Sequence, residues 1–526
     1  MTDKILFING IIHTMESEDS TASSMLTENG YIKALDVKVC PGARVIDLMG
    51  RHVYPCMTDG HTHLLSSIVL AGNGFDLCTI ENGAVCPENM QGVEKRLRAF
   101  SEGKSSGSVL VANNYIITGI SEKRLPTRRE LDDWCGGRPV IVYTIDGHAS
   151  ALSSAMLKKL GITDPEHNGW LFGEEHERRQ GRLTDIIASG VTPEIIAKGC
   201  ARFQNEAADF GISCVCSLEG NGDSKNDLTT KLVVFLARHF NLDVRFYFQY
   251  TDLKKAAPFA RFQKQKRIGG CGDWEMDGAL SAHTAAFSAS YKDTGKTAPC
   301  YYTQDFVDSC VLRADAMGYQ ISAHAIGDLA IDRLVSALSK TSGRIRHRID
   351  HCEFASDSAL DIIAEHGWSV MAQPGYSWVD KRFMHAYEQY LPEETLKLMK
   401  FKSFVDRDIP ICGSTDSPVQ SLNPWLQMLG MVQYYIAEES VSNYRAFRCY
   451  TVNPARAILE ENDRGKLLPG MRADFFTAEC NIFALPPTEL ASFRPSETFY
   501  LAKPARRFKG TVTELIKTLL TPPKKI

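Results

Sequence analysis

Apolar and polar positions divide the chain into two similar ends and a long middle. At the start, Ile5-Leu6-Phe7-Ile8 and Ile11-Ile12 flank Asn9-Gly10 in the manner of a short hairpin, and residues 31–35 offer a further strand. A comparable pattern returns after residue 462, where residues 465–470 lead into Ala473-Asp474-Phe475-Phe476, so both ends are expected to build one small β-domain together. Between them, strand-like runs alternate with helical periodicity, the signature of a parallel sheet with crossover helices. The last third is clearest. Ile321-Ser322-Ala323-His324 closes at Gly327-Asp328, and Ile331, Leu334, Val335 and Leu338 then recur at helical spacing behind Asp328 as an expected N-cap. Next come a strand at 348–351, a helix over Ala359, Leu360 and Ile363 ending near Gly367, and strands at 368–373 and 409–416. These four strands end in His324, His351, Gln373 and Asp416. Upstream, runs at 53–59, 140–144, 214–218, 244–250 and 271–277 make nine candidates for the eight positions of a βα barrel, so one of them lies elsewhere.

With 526 residues, 44% hydrophobic and 23% charged, the chain has material for one large domain and a smaller one. Its 59 basic and 63 acidic side chains are interspersed, with a formal net charge of -4, which excludes the electrostatic footprint of a nucleic-acid binder. The basic tail Lys524-Lys525 is expected to be a solvated terminus. No stretch has the length and apolarity of a signal peptide or a membrane span, so the expected setting is cytoplasmic, without a membrane partner. Fifteen cysteines are scattered singly apart from Cys214 and Cys216, with no zinc-ribbon CxxC, as in a reducing compartment where most are small buried hydrophobes.

The candidate chemistry sits at strand ends, where barrel residues converge on one mouth. His61 and His63, at i and i+2 on extended backbone, point to one side and can grip one metal, with Gly60 expected to let the chain bend. His324, His351 and Asp416 each end a strand, giving five ligand-type side chains in all. Imidazole and carboxylate suit zinc and also tolerate iron, manganese or nickel, so one or two divalent metal ions are expected, zinc foremost. Asp273, Glu275 and Asp277 alternate onto one face if 271–277 is a strand, and three buried acids are easiest to explain at a metal centre. Tyr143, Trp274, His283, Gln373, Tyr376 and Trp378 are expected to line the pocket, and no GxSxG elbow supports a serine hydrolase.

Together, Thr58-Asp59-Gly60-His61-Thr62-His63, His324-Ala325-Ile326-Gly327-Asp328, Arg346-His347-Arg348-Ile349-Asp350-His351 and Gly413-Ser414-Thr415-Asp416-Ser417-Pro418 resemble the amidohydrolase superfamily. Within it they look like the branch (metal-dependent amidohydrolase family 3) that includes N-substituted formamide deformylase. The resemblance runs over nearly the whole chain. It implies an α/β fold, a distorted TIM (β/α)8 barrel over residues 55–462 beside a composite β-sandwich made of residues 1–54 and 463–526. It implies that His148, in Asp146-Gly147-His148-Ala149, faces the active site and binds substrate; Trp274, His283 and Gln373, from the strand-to-helix loops, are expected to bind substrate beside it. It also exposes a departure: relatives often carry a carboxylated lysine four residues before Asp277-Gly278, and here that position is Asp273. Asp273 or Glu275 is then expected to bridge two metals, or the site to hold one. The implied reaction is attack of metal-bound hydroxide on the C–N bond of a small organic amide, with Asp416 moving the proton and His148 stabilising the oxyanion. Deamination or hydrolysis of a cyclic amide or imide uses the same parts, and a catalytically silent scaffold is the alternative of another class. A homodimer is the default assembly.

Overall fold

The computed structural model describes residues 3–81, 84–105, 107–145, 147–376 and 384–524; Asp146, Trp378 and Lys525 lie outside the described residues. Eight strands, Met57–Thr62, Ile212–Glu219, Asp243–Phe248, Arg267–Glu275, Gln320–Ala325, Arg348–His351, Ser369–Ala372 and Ile411–Gly413, pair in parallel in chain order. The eighth returns to the first just past its end, where the Asp416 N–H donates to the His61 carbonyl (2.9 Å) and the His63 N–H to the Ser417 carbonyl (2.7 Å). The strands are buried on both faces, as parallel strands under crossover helices must be. Those helices carry explicit start and stop signals. Thr192 caps Pro193–Phe210, which opens on proline and stops at Gly211 (φ 80°), and Ser356 caps Asp357–His366, which stops at Gly367 (φ 61°).

The ninth candidate strand is Val140–Thr144. It lies in a five-stranded sheet inserted between the first and second barrel strands, with the order Trp170–Phe172, Ala149–Leu152, Val140–Thr144, Leu110–Tyr115, Phe75–Asp76. This insertion has its own core around Val93, Leu97, Leu131, Trp134 and Val142. Val140–Thr144 pairs parallel with Leu110–Tyr115 and antiparallel with Ala149–Leu152, and its burial on both faces is why the apolar run 140–144 cannot be told from a barrel strand by pattern.

Strands from both chain ends share one six-stranded sheet, in which Phe475–Ala478 pairs antiparallel with His52–Pro55. A four-stranded sheet, Tyr31–Leu35, Met25–Glu28, Lys4–Ile8, Arg44–Asp47, packs on it through Ile5, Phe7, Met25 and Ile32 against Ile12, Val53, Phe475 and Phe499. The expected opening hairpin is therefore corrected. Lys4–Ile8 and Ile11–His13 belong to different sheets, and the turn at Asn9 (φ 56°) carries the chain from one layer to the other. A second correction concerns Asp328, which is the first residue of its helix with Gly327 at the N-cap; its carboxylate accepts from the Ser288 N–H (2.8 Å) and hydroxyl instead. Among the described residues no helix is long and apolar enough to cross a membrane.

Phe475 ties the two ends together, with its ring stacked on Phe499 at 4.6 Å and edge-on to Phe7 at 5.1 Å. Phe475→Ala is expected to cost about 3–5 kcal/mol, read as a shift of the denaturant midpoint; a loss below about 1 kcal/mol would show that the two-ended domain is not held by this contact.

Candidate metal centre

At the C-terminal ends of the first, fifth, sixth and eighth barrel strands, His61, His63, His324, His351 and Asp416 converge. The His61 and His63 Nε2 atoms lie 3.2 and 3.1 Å from Asp416 Oδ1. The His351 ring is 4.9 Å from His61 and 4.3 Å from His324, centre to centre. Burial opposes ionisation of Asp416, but the imidazoles of His61 and His63 outweigh it and hold the carboxyl well below the usual carboxylate range. Burial, then neighbouring imidazoles, keep His324 well below its ordinary value and hold His351 at about 4, so both are neutral bases with a lone pair to offer.

Two of the rings are oriented from behind. The Gln373 Oε1 accepts the His351 Nδ1–H at 2.8 Å, and Gln373 Nε2 donates to Ser414 Oγ at 2.9 Å. Asp350 lies 3.4 Å from His61 Nδ1 and is itself held by Arg348 at 2.9 Å. Asp59 accepts from the His61 and Thr415 backbone N–H groups and from the Thr415 hydroxyl, so one buried carboxylate fixes the first strand to the eighth. Gly60 serves close packing rather than bending. A Cβ there would lie 3.0 Å from Met371 Sδ and 3.3 Å from the Gly413 carbonyl.

The fourth strand departs most from expectation. Its register against the fifth strand jumps from Gly270–Ala323 to Glu275–His324, five residues on one strand against one on the other. This arch breaks the alternation that would place three acids on one face. Asp273 turns away and accepts from the backbone N–H of Gly222 (3.0 Å) and Thr251 (3.3 Å). Asp277 accepts from the N–H groups of Ile326 (3.0 Å), Gly327 (2.8 Å) and Ala286 (2.8 Å), its carboxyl pushed up to about 7 by burial. Glu275 accepts from the Gly272 N–H at 3.0 Å and stands within 4.8 Å of His148 and Glu177. Cys271, which sequence reasoning had counted among inert buried thiols, comes to lie 3.6 Å from His61 Nε2. The only sequence signal that could have found it is the glycine setting, Gly269-Gly270-Cys271-Gly272, which marks a bulged strand.

The cavity above this centre measures about 240 Å³ and is lined partly by the inserted sheet and its following helices. His148 and Tyr143 line it, and the His148 Nδ1 meets Glu177 Oε1 at 3.0 Å, a partner not foreseen from sequence. Three expected substrate contacts lie elsewhere. Trp274 is buried with its indole N–H on the Tyr250 carbonyl (3.1 Å), His283 packs against Tyr390 and Asp293, and Gln373 stands behind His351. Tyr376 reaches Asp416 Oδ2 at 2.8 Å.

A cation fits this set. His324 Nδ1 and His351 Nε2 are buried without a hydrogen-bond partner among the described residues, a costly state that metal ligation would relieve. His61, His63 and Cys271, His324, His351 and Cys271, and His61, His351 and Asp416 each bring three ligand atoms within 4.8 Å of one another.

Comparison with known proteins agrees with this geometry. The model of the amidohydrolase family known as Amidohydro_3 matches residues 44–501. The putative amidohydrolase YtcJ of Bacillus subtilis is 23% identical, over 93% of this chain and 96% of its own. An N-substituted formamide deformylase of Arthrobacter pascens is also 23% identical, over 90% and 93%. A metal-dependent hydrolase from Pyrococcus horikoshii superposes with a TM-score of 0.73 at 21% identity, over 93% of this chain and all of that one.

If Gln373 sets the tautomer that turns His351 Nε2 toward a metal, Gln373→Leu is expected to weaken metal affinity about 10- to 100-fold with the fold intact. Competition against a chromogenic chelator measures this, and unchanged affinity would show that His351 needs no such support.

Proposed function

The chain belongs to the amidohydrolase family, and on that premise we propose that it hydrolyses the C–N bond of a small organic amide at a divalent metal held by His61, His63, His324, His351 and Asp416. One observation carries the reading: four imidazoles, three of them buried, and one carboxylate from four separate strands converge at a single cavity, with His324 Nδ1 and His351 Nε2 lacking a hydrogen-bond partner among the described residues. Zinc fits imidazole and carboxylate ligands first, with iron or manganese as alternatives. A divalent cation bound there lowers the pKa of a coordinated water from about 15.7 to about 7 and polarises a carbonyl.

The chain's own residues do the rest. Asp416, held as a carboxylate by two imidazoles and steadied by the Tyr376 hydroxyl, accepts the proton of the attacking water and delivers it to the leaving nitrogen. His148, its Nδ1 3.0 Å from Glu177 Oε1, stabilises the charge that develops on the carbonyl oxygen. The insertion covers the cavity and limits water around the reacting bond.

Charge narrows the substrate. Glu177, Glu219, Glu275 and Asp416 line the cavity, and no lysine or arginine stands among its described lining residues. A substrate carboxylate would find no cation there beyond the metal, so the favoured amides are uncharged or carry a basic nitrogen. N-formyl and N-acyl amines are the first panel, since a deformylase of N-substituted formamides is among the relatives.

On such a panel, uncharged or amine-bearing substrates are expected to exceed their carboxylate-bearing analogues at least about tenfold in kcat/KM, a difference of about 1.4 kcal/mol; the reverse order would overturn the charge argument. Asp416→Asn, with metal content checked alongside, is expected to lower kcat about 10²- to 10⁴-fold. Turnover within about tenfold of the unaltered protein would remove Asp416 from proton transfer.

A further inference from the structure

The geometry points to Cys271 as a thiolate bridging two divalent cations, one held by His61 and His63 and the other by His324 and His351. This inference rests on the metal-hydrolase reading and deepens it by naming the anion that stands where relatives place a carboxylated lysine.

Position is the first argument. Among the described residues Cys271 Sγ is the one ligand atom common to both histidine pairs: it lies within 4.8 Å of ligand atoms of His61 and His63 in one group and of His324 and His351 in another. The second argument is that Asp273 and Asp277 of the same segment are engaged on backbone N–H groups, while Glu275 stands with His148 and Glu177 in a group that includes none of the four histidines. Third, His324 Nδ1 and His351 Nε2 are buried without a hydrogen-bond partner among the described residues.

Backbone shape adds a fourth argument. Gly269, Gly270 and Gly272 hold φ of 102°, 105° and 61°, conformations that side chains rarely adopt. A Cβ at Gly269 would lie 1.8 Å from the Ser322 carbonyl, and one at Gly270 2.0 Å from Leu218 Cδ2. Glycine at these positions is what lets the arch lift Cys271 into the centre. Charge supplies the fifth. Two divalent cations held by four imidazoles would have Asp416 as their carboxylate ligand, and a thiolate would add a second anion between them. Ligation by a thiol balances as a proton exchange: S–H breaks, two S–metal bonds form and one H⁺ leaves. Thiolate ligation also selects zinc or cobalt over magnesium or manganese.

The test uses the full chain, stripped with chelator and reconstituted separately with zinc and with cobalt(II). Expected are two cations per chain by elemental analysis, sulfur at about 2.3 Å in the zinc X-ray absorption spectrum, and a thiolate-to-cobalt charge-transfer band in the near ultraviolet. Cys271→Ser and Cys271→Ala are expected to lose that band and weaken the second cation at least 100-fold, whereas exposed Cys480→Ser keeps both. The absorption spectrum needs no variant, so misfolding of either substitution leaves the test intact. Two cations without sulfur would overturn the thiolate bridge and leave the hydrolase reading standing. One cation with sulfur would overturn the bridge and make Cys271 a terminal ligand. No cation bound with micromolar affinity or better would overturn both.

Discussion

Closure of the barrel and assembly of the site are one event in this molecule. The first and eighth strands meet through the hydrogen bonds Asp416 N–H to His61 carbonyl and His63 N–H to Ser417 carbonyl. The side chains of the same residues are the ligands: closing the ring brings the Asp416 carboxylate to 3.1–3.2 Å from two imidazoles. Asp59 is the clasp beneath them. It is buried and pushed up to about 6 by desolvation, yet it accepts three hydrogen bonds spanning both strands. A polar clasp costs more than an apolar one, but it fixes register, and register here decides whether imidazole and carboxylate face each other.

The other ligands depend on that frame without taking part in closure. His324 and His351 lie on neighbouring strands, each at the last or next-to-last position, so a ring rotation would suffice to misdirect them. Gln373, one strand further on, removes that freedom for His351. His324 is steered differently, by the weak contact of Nε2 with the Gly278 carbonyl at 3.4 Å and with Asp277 at 3.6 Å. Asp277 thereby acts on the centre from outside it.

Legibility in the sequence followed regularity. His61, His63, His324, His351 and Asp416 were found because they end strands whose apolar runs and flanking turns obey simple periods, and the family resemblance added His148. Cys271 was missed because the inference assumed that the fourth strand alternates; the four extra residues between Gly270 and Glu275 break the period on which face assignments rest. Trp274 and His283 were assigned to the pocket because strand-to-helix loops line a barrel mouth, and both belong instead to packing around the arch and its following loop. Glu177 was out of reach for another reason. It arrives from the helix Gly173–Glu177, whose placement over the mouth depends on the inserted sheet, a long-range arrangement that local patterns do not encode.

The distribution of buried charge supports a cationic centre on grounds independent of ligand geometry. Away from the mouth, buried carboxylates are matched by guanidinium: Asp243 lies between Arg464, Arg472 and Arg245, and Glu460, held at about 2, accepts from Arg245 and Arg464. At the mouth the rule changes. Asp59, Asp277, Glu219 and Glu275 are all pushed upward by burial and are supported by hydroxyls, backbone N–H groups and imidazoles. Arg348, the guanidinium that comes near, is separated from His61 by Asp350 and spent on it. Arginine would satisfy these acids more cheaply than backbone dipoles do, but a permanent positive charge at the mouth would repel a divalent cation. The same chain that pairs its structural acids with arginine leaves its mouth acids for a cation that the protein must acquire.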